Sequence, residues 1–299
     1  MHKIEIPDLK LKMEIPSVLS ELSSEDYLVF VELFLMLKNG EISYEKFRLV
    51  FLNHFFDFQP VKKLSRKNRE EIYAEIYRIS ELFDSFLKHG DDKLELNLNC
   101  IKNLLPVISG VGCNLFGPLD ALTDITFFEY IDAHSAYYDF VTTQDESALN
   151  RLVAILYRPE IENLEKVSSS NDFDGQRRIK YNPHVIDYQV KHVASLPYHV
   201  RYAVFLYYNS CEDFLRDGEF PVAGSTIKLS LLYGSSGGNS DDTGLIGVLY
   251  TLSESQVFGN AKETADTNLY DVMLRLYQLM KIYKNQEKQL NSDGKNKAV

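Results

Sequence analysis

The stretch from Phe116 to Pro159, FGPLDALTDITFFEYIDAHSAYYDFVTTQDESALNRLVAILYRP, constrains the fold more than any other part of the chain. Its apolar residues recur at helical spacing, and they do so twice. Thr126 is placed to cap a first helix, with Glu129 three residues on to complete a capping box. Phe127, Tyr130, Ile131, His134, Tyr137, Tyr138 and Val141 then fall along one face. A second helix is expected from about Thr143, with Asp145 and Glu146 in its first turn, where carboxylates favour the helix dipole. Leu149, Leu152, Val153 and Leu156 line its side and Pro159 is its expected stop. The connection is only about two to four residues, so the helices must be antiparallel neighbours.

Around this hairpin the chain reads as mainly α, a compact two-lobed unit of helical hairpins with a small antiparallel β element. The boundaries expected are 1–110 for an N-terminal helical lobe with short strands, 111–287 for a C-terminal helical lobe, and 288–299 for a disordered tail. With 299 residues, 45% hydrophobic and 25% charged, it can bury roughly three quarters of its unfolded surface. A net charge of -11 argues against a nucleic-acid-coating role, which runs on Lys and Arg excess, and favours protein partners. Cys100, Cys113 and Cys211 are odd in number and hold no CxxC pair, which predicts buried free thiols in a reducing compartment. The opening MHKIEIPDLKLKMEIP lacks the apolar core of a signal peptide, and the longest apolar run, Leu28 to Leu37, contains Glu32. No membrane span is expected, and the cytoplasm, or a particle assembled there, is the expected location.

Residues 3 to 14 fit one or two strands that begin a small sheet. Ser23 or Ser24 can cap a helix over about Glu25 to Lys38, with Gly40 at its left-handed C-terminal cap. Ser43 opens a second helix through YEKFRLVFLNHFF, whose aromatic density reads as core. Lys62, Lys63, Arg66, Lys67 and Arg69 form the one basic cluster to weigh against phosphate or an acidic partner; the plainer reading is a solvated helix start. The following REEIYAEIYRISELFDSFLKH carries a buried stripe of Ile72, Ile76, Ile79, Leu82, Phe83 and Phe86. Leu94 to Leu98 alternates as a strand, and NLLPVISGVGCNLFGP is the expected seam between lobes. Past the central hairpin, SSSNDFDGQRR reads as a mobile surface loop. Asn182 and Pro183 start a helix that Pro197 ends, and another follows over about Pro197 to Arg216. A hairpin over 219–233 is expected to pair with the N-terminal strands, and GSSGGNSDDTG to be flexible. Closing helices are expected over about Gly244 to Ser255 and Asn268 to Gln286, the latter with Val272, Leu276, Leu279, Met280 and Tyr283 on one face.

Little of this is chemistry. GSSGG at 234–238 matches GxSxG with Ser236 as nucleophile, but NSDDTG follows where a helix should begin, and no histidine lies beyond His199 to complete a hydrolase triad. His184 and His192, at i and i+8 on a helix, would stand about 12 Å apart, too far for one zinc, and Pro197 redirects His199. Asp120, Asp124, Glu129 and Asp132 could hold a cation or supply a general acid, though carboxylates at a helix start more simply complement its dipole. No P-loop and no dinucleotide fingerprint is present. The sequence therefore assigns no catalytic, cofactor-binding or metal-ligating residue and no cofactor.

GPLDALTDITFFEYIDAHSAYYDF with DESALNRLVAILYRP resembles proteins of unassigned activity encoded among the tail and assembly genes of certain tailed phages and prophages. The similarity extends to IEIPDLKLKMEIPSVLSELSSEDYLVF, NGEISYEKFR, NPHVIDYQVKHVASLPYHVRYAVFLYYNSCEDFL and GLIGVLYTLSESQVFGNAKETADTNLYDVMLRLYQL, and so covers most of the chain. It implies a non-enzymatic role in building a tail or virion, as assembly chaperone or structural subunit. That role implies a tail or virion protein as partner, admits a homo-oligomer, and places the protein in the host cytoplasm during assembly or in the virion. The competing reading is an enzyme or a small-molecule or metal-binding protein, with a site between the lobes near Asp120, Asp124 and the histidines at 184 to 199.

Overall fold

A computed structural model describes residues 1–6, 11–56, 66–89, 94–97, 99–110, 112–170, 173, 175–222, 225–230 and 244–296. The protein is mainly α, with small antiparallel sheets of two or three strands. Its contacts divide it into two units, residues 1–105 with 196–210 and residues 106–195 with 211–299.

The first unit opens with β1 (His2–Ile6) and β2 (Leu11–Ile15), paired antiparallel from His2↔Ile15 to Ile6↔Leu11. Helix α1 (Ser24–Lys38) starts in a full capping box between Ser23 and Asp26. It ends in a Schellman motif: the Glu41 N–H reaches the Met36 carbonyl and the Gly40 N–H the Leu37 carbonyl, with Gly40 at φ +74°. Helices α2 (Tyr44–Phe56) and α3 (Arg66–Ser80) follow. The helix expected to run on through Phe86 stops at Ser80, whose hydroxyl donates to the Tyr77 carbonyl, and residues 81–86 tighten into a 3-10 turn. Three residues per turn put Phe83 and Phe86 on one side, facing inward, while Ile72, Ile76 and Ile79 are only half-buried. Phe30, Phe47, Phe51, Phe83 and Phe86 make the core, with ring centroids 4.7 to 6.2 Å apart. Strands β3 (Leu87–His89) and β4 (Leu94–Leu96) close this segment.

The second unit begins with β5 (Val107–Ser109) and β6 (Asn114–Phe116), in the segment expected to be the seam. Helix α4 (Phe127–Thr143) and helix α5 (Glu146–Leu156) form the anticipated hairpin. Its turn is the shortest expected: Gln144, in the left-handed region, caps α4, and Asp145 is the N-cap of α5, so Thr143 ends the first helix instead of opening the second. The buried face of α4 is rotated toward Ala133, Ala136 and Phe140, leaving Tyr138 and Val141 exposed. Helix α5 ends before Pro159, because the residue preceding a proline is pushed to extended geometry. Arg158 and Pro159 therefore become β7 (Arg158–Pro159), paired to β6.

Helix α6 (Leu164–Ser168) precedes a 3-10 turn at 183–185, capped by Asn182, and α7 (Ile186–Val193). Helix α8 (Tyr198–Asp217) contributes residues through Ser210 to the first unit and its remainder to the second. Strands β8 (Glu219–Val222) and β9 (Ser225–Lys228) pair only with each other among the described residues, so the expected sheet with the N-terminal strands does not form. Sequence-local pairing closes the shortest loop and costs least chain entropy. Residues 231–233 of the expected 219–233 hairpin and 231–243, with the GSSGG motif, lie outside the described residues. Helices α9 (Gly244–Glu254), α10 (Ala261–Asp266) and α11 (Leu269–Asn296) end the chain, α10 being an addition announced by the capping box of Asn260 and Glu263. Helix α11 continues through Asn296, past the residue at which fraying is expected.

Candidate functional site

The helix hairpin of the second unit brings together four ionised groups. Thr126 caps α4 by accepting from the Glu129 N–H at 3.2 Å, but the other half of the expected capping box is not made. The Glu129 side chain turns inward, 1% exposed, and is gripped by two guanidinium groups. Arg158 binds it with both ends of its fork, Nη1 donating to Oε1 at 2.8 Å and Nη2 to Oε2 at 3.2 Å. Arg178 donates from Nη1 to the same Oε1 at 2.9 Å, and its Nη2 faces Asp124 Oδ2 at 3.1 Å.

Backbone carbonyls take up further donors. Arg158 Nε reaches Ile179 O at 2.8 Å, Arg158 Nη1 also donates to Ile155 O, and Arg178 Nη1 donates to Leu156 O at 2.6 Å. The C-terminal end of α5 thus gives its unpaired carbonyls to the two arginines, where the helix dipole favours cations. Arg158 Cζ lies 5.7 Å from the centre of the Tyr181 ring, and the Tyr181 hydroxyl donates to Asp132. Burial, followed by the bond to Asp132, pushes the Tyr181 phenol above its ordinary range. Burial also pulls the Arg158 guanidinium down, with Glu129 opposing it. Two carboxylates and two guanidiniums cancel, which is how ions are retained inside a protein.

Position in the chain explains the pairing. The Ile161 N–H bonds to Arg177 O at 2.9 Å and the Ile179 N–H to Pro159 O at 3.0 Å, with an isolated bridge between Glu160 and Arg178. The end of the segment expected to be a mobile surface loop, at Arg177 and Arg178, therefore lies against the exit of α5 and inserts Arg178, 1% exposed, into the interior. Arg158 and Arg178 escaped the sequence reading because one sits beside a helix-stopping proline and the other in a polar run. A usable signal was present: residues 103–150 contain seven Asp and Glu and no Lys or Arg, so the acids that become buried must be neutralised from elsewhere.

A second polar cluster joins α4 to α8. The Tyr130 hydroxyl donates to Glu212 Oε2 at 3.1 Å, and His134 Nδ1 lies 3.1 Å from Glu212 Oε1. The bond to Glu212 raises the His134 pKa against the opposing effect of burial, and burial pushes Tyr137 up to about 12.

Of the four carboxylates weighed as a cation or acid site, Asp124, Glu129 and Asp132 are occupied by Arg178, Arg158 and Tyr181, and Asp120 is exposed. A metal entering here would have to displace a guanidinium. His184 stands on the 3-10 turn, His192 is exposed at the end of α7 against Tyr188, and His199 is on the first turn of α8. Among the described residues no group of three or more His, Cys, Asp or Glu could hold a metal ion, and no helix is long and apolar enough to cross a membrane. Cys100 and Cys211 are buried, but Cys113, expected to be buried, is exposed in the turn between β5 and β6. Lys62 and Lys63 lie outside the described residues, and Arg66, Lys67 and Arg69 fall on the first turn of α3. The chemistry of the quartet is that of a lock: it fixes α4, the exit of α5 and the 175–181 segment against one another. No protein-family model, curated protein or solved structure matches the chain.

Proposed function

We propose that the protein is a non-enzymatic assembly chaperone or structural subunit that works through protein–protein contacts, in the tail or virion building of the phages and prophages whose gene products its sequence resembles. The observation that carries the contact-making part is the apolar stripe of α11. Leu269, Val272 and Met273 are buried, yet the stripe continues at helical spacing to Leu279, Ile282 and Tyr283, which are exposed. A helix that shows part of its apolar face can lie in a partner's groove or receive an apolar client segment.

The test is affinity purification of the tagged protein from the cells that produce it, with bound polypeptides identified by mass spectrometry. A tail or virion protein in the eluate supports the reading and names the partner. A partner-free protein, repeated at low salt and with cross-linking, removes it. Stoichiometric presence in purified particles separates a structural subunit from a chaperone released in the cytoplasm.

A further inference from the structure

Two exposed apolar patches in the second unit carry opposite charge. On α4, Tyr138 is 61% exposed and Val141 stands one turn further on, with Asp139, Asp145 and Glu146 exposed beside them. On α11, Leu279, Ile282 and Tyr283 are exposed, Tyr283 to 63%, and Lys281 and Lys284 are interleaved with them. The charge separation extends along the chain. Residues 138–146 hold three acids and no Lys or Arg, whereas residues 275–286 hold Arg275, Lys281 and Lys284 and no acid, in a protein of net charge -11.

We infer that the protein self-associates head to tail, the basic apolar face of α11 on one copy docking on the acidic apolar end of α4 on the next. The occupant is a second copy because the chain itself carries the complement of each patch, and both patches stay open in the folded chain, so neither satisfies the other internally. Opposite charge around an apolar centre steers and registers such a contact. Helix α11 also needs a neighbour. Its stretch from Leu279 to Asn296 is roughly 27 Å long, and Leu279, Ile282 and Tyr283 on it are exposed, whereas helical segments draw most of their stability from packing an amphipathic face. Two different patches make the interface heterologous, which generates rings when the rotation closes and filaments when it does not. The inference takes the α11 face on which the proposed function rests and assigns it a second copy as occupant; it fails or stands separately from that reading, since it is measured on the purified protein alone.

The experiment is sedimentation velocity on the full chain across a concentration series at about 50 and 500 mM salt, on either side of the ~10 Å screening length at 0.1 M. Wild type should associate at the lower salt and dissociate several-fold more readily at the higher. Tyr138→Lys and the double substitution Ile282→Ser with Tyr283→Ser lie at exposed positions and should keep the wild-type circular dichroism. Each should weaken association by about tenfold or more, the equivalent of ~1.4 kcal/mol. Mixed together they should form a discrete 1:1 pair, since one variant retains the α11 face and the other the α4 face. A wild type that stays monomeric, association unaffected by either variant, or variants that do not pair on mixing would each overturn the inference. A client captured in the affinity purification bears on the proposed function and leaves this result untouched.

Discussion

In the unit formed by residues 1–105 and 196–210, Phe30, Phe47, Phe51, Phe83 and Phe86 fill the core with tilted and edge-to-face rings, whereas the other unit buries Glu129 between Arg158 and Arg178. Apolar burial is non-directional, and each ring pair in an offset or edge-to-face arrangement adds about 0.5–1.5 kcal/mol beyond its buried area. An ion cluster is directional. Its members repay their desolvation only while every partner is in place. The first core therefore tolerates a volume-conserving change at modest cost, and the second tolerates almost none. Where the first unit does bury a charge, it uses the same rule on a smaller scale: Arg48 pairs with Asp84 at 3.0 Å and is flanked by the Tyr44 and Tyr77 rings.

The largest effects should break the two cores in different ways. Phe51→Ala should cost about 3–5 kcal/mol, and Glu129→Ala, which strands two buried guanidiniums, about 3–5 kcal/mol, both read from denaturant midpoints. Near-isosteric changes then separate them. Phe51→Met should recover most of the loss, leaving about 1–2 kcal/mol, whereas Glu129→Gln should remain close to the alanine value because the charge is what the arginines require. Equal recovery at both sites would remove the distinction drawn between them.

Acid and base should sharpen the contrast. In the first unit burial works against the Asp26 carboxylate, but bonds from Ser23 and His54 outweigh it and hold its pKa below the ordinary 3.8. Its contribution is complete above that value and is lost as pH falls through the depressed one. In the second unit the His134 pKa is raised above 6.5 by Glu212. That contribution is complete below 6.5 and disappears as pH rises through the raised value. The expected sizes are on the order of 0.5 kcal/mol, since both groups are partly solvated. Stability measured against pH should therefore lose its acid-side slope in Asp26→Asn and its slope above pH 6.5 in His134→Gln. An unchanged profile in either variant would show that its pair is not coupled to folding.

A further difference concerns caps. Ser23→Ala and Asn260→Ala each abolish a complete capping box, one in each unit, and should cost about 0.5–2 kcal/mol. Thr126→Ala removes a cap whose Glu129 half is absent, so its loss should fall at the low end of that range. Thermal unfolding of the three single variants orders them directly.

How much was legible follows the range of the forces involved. The α4–α5 hairpin, the Schellman end at Gly40, the Asn182 cap and the strands near the N-terminus are written in residues within one or two turns of each other, and they stand where expected. The failures share a different character. Glu129 has the right spacing for a capping box, but the same carboxylate is worth more to two buried guanidiniums than to one helix N–H. Arg178 looked like loop, yet 49 residues separate it from the carboxylate that holds it. The sequence by itself determined most of the segments that become helices, α6 and α10 excepted, where most of them are capped, and that a long acidic stretch lacks its own cations. Only the tertiary structure decided which face of α4 is buried, which arginines enter the core, and that the stripe of α11 runs out beyond its cover. Capping and periodicity are local in the chain, whereas desolvation must be balanced by whatever folding brings near.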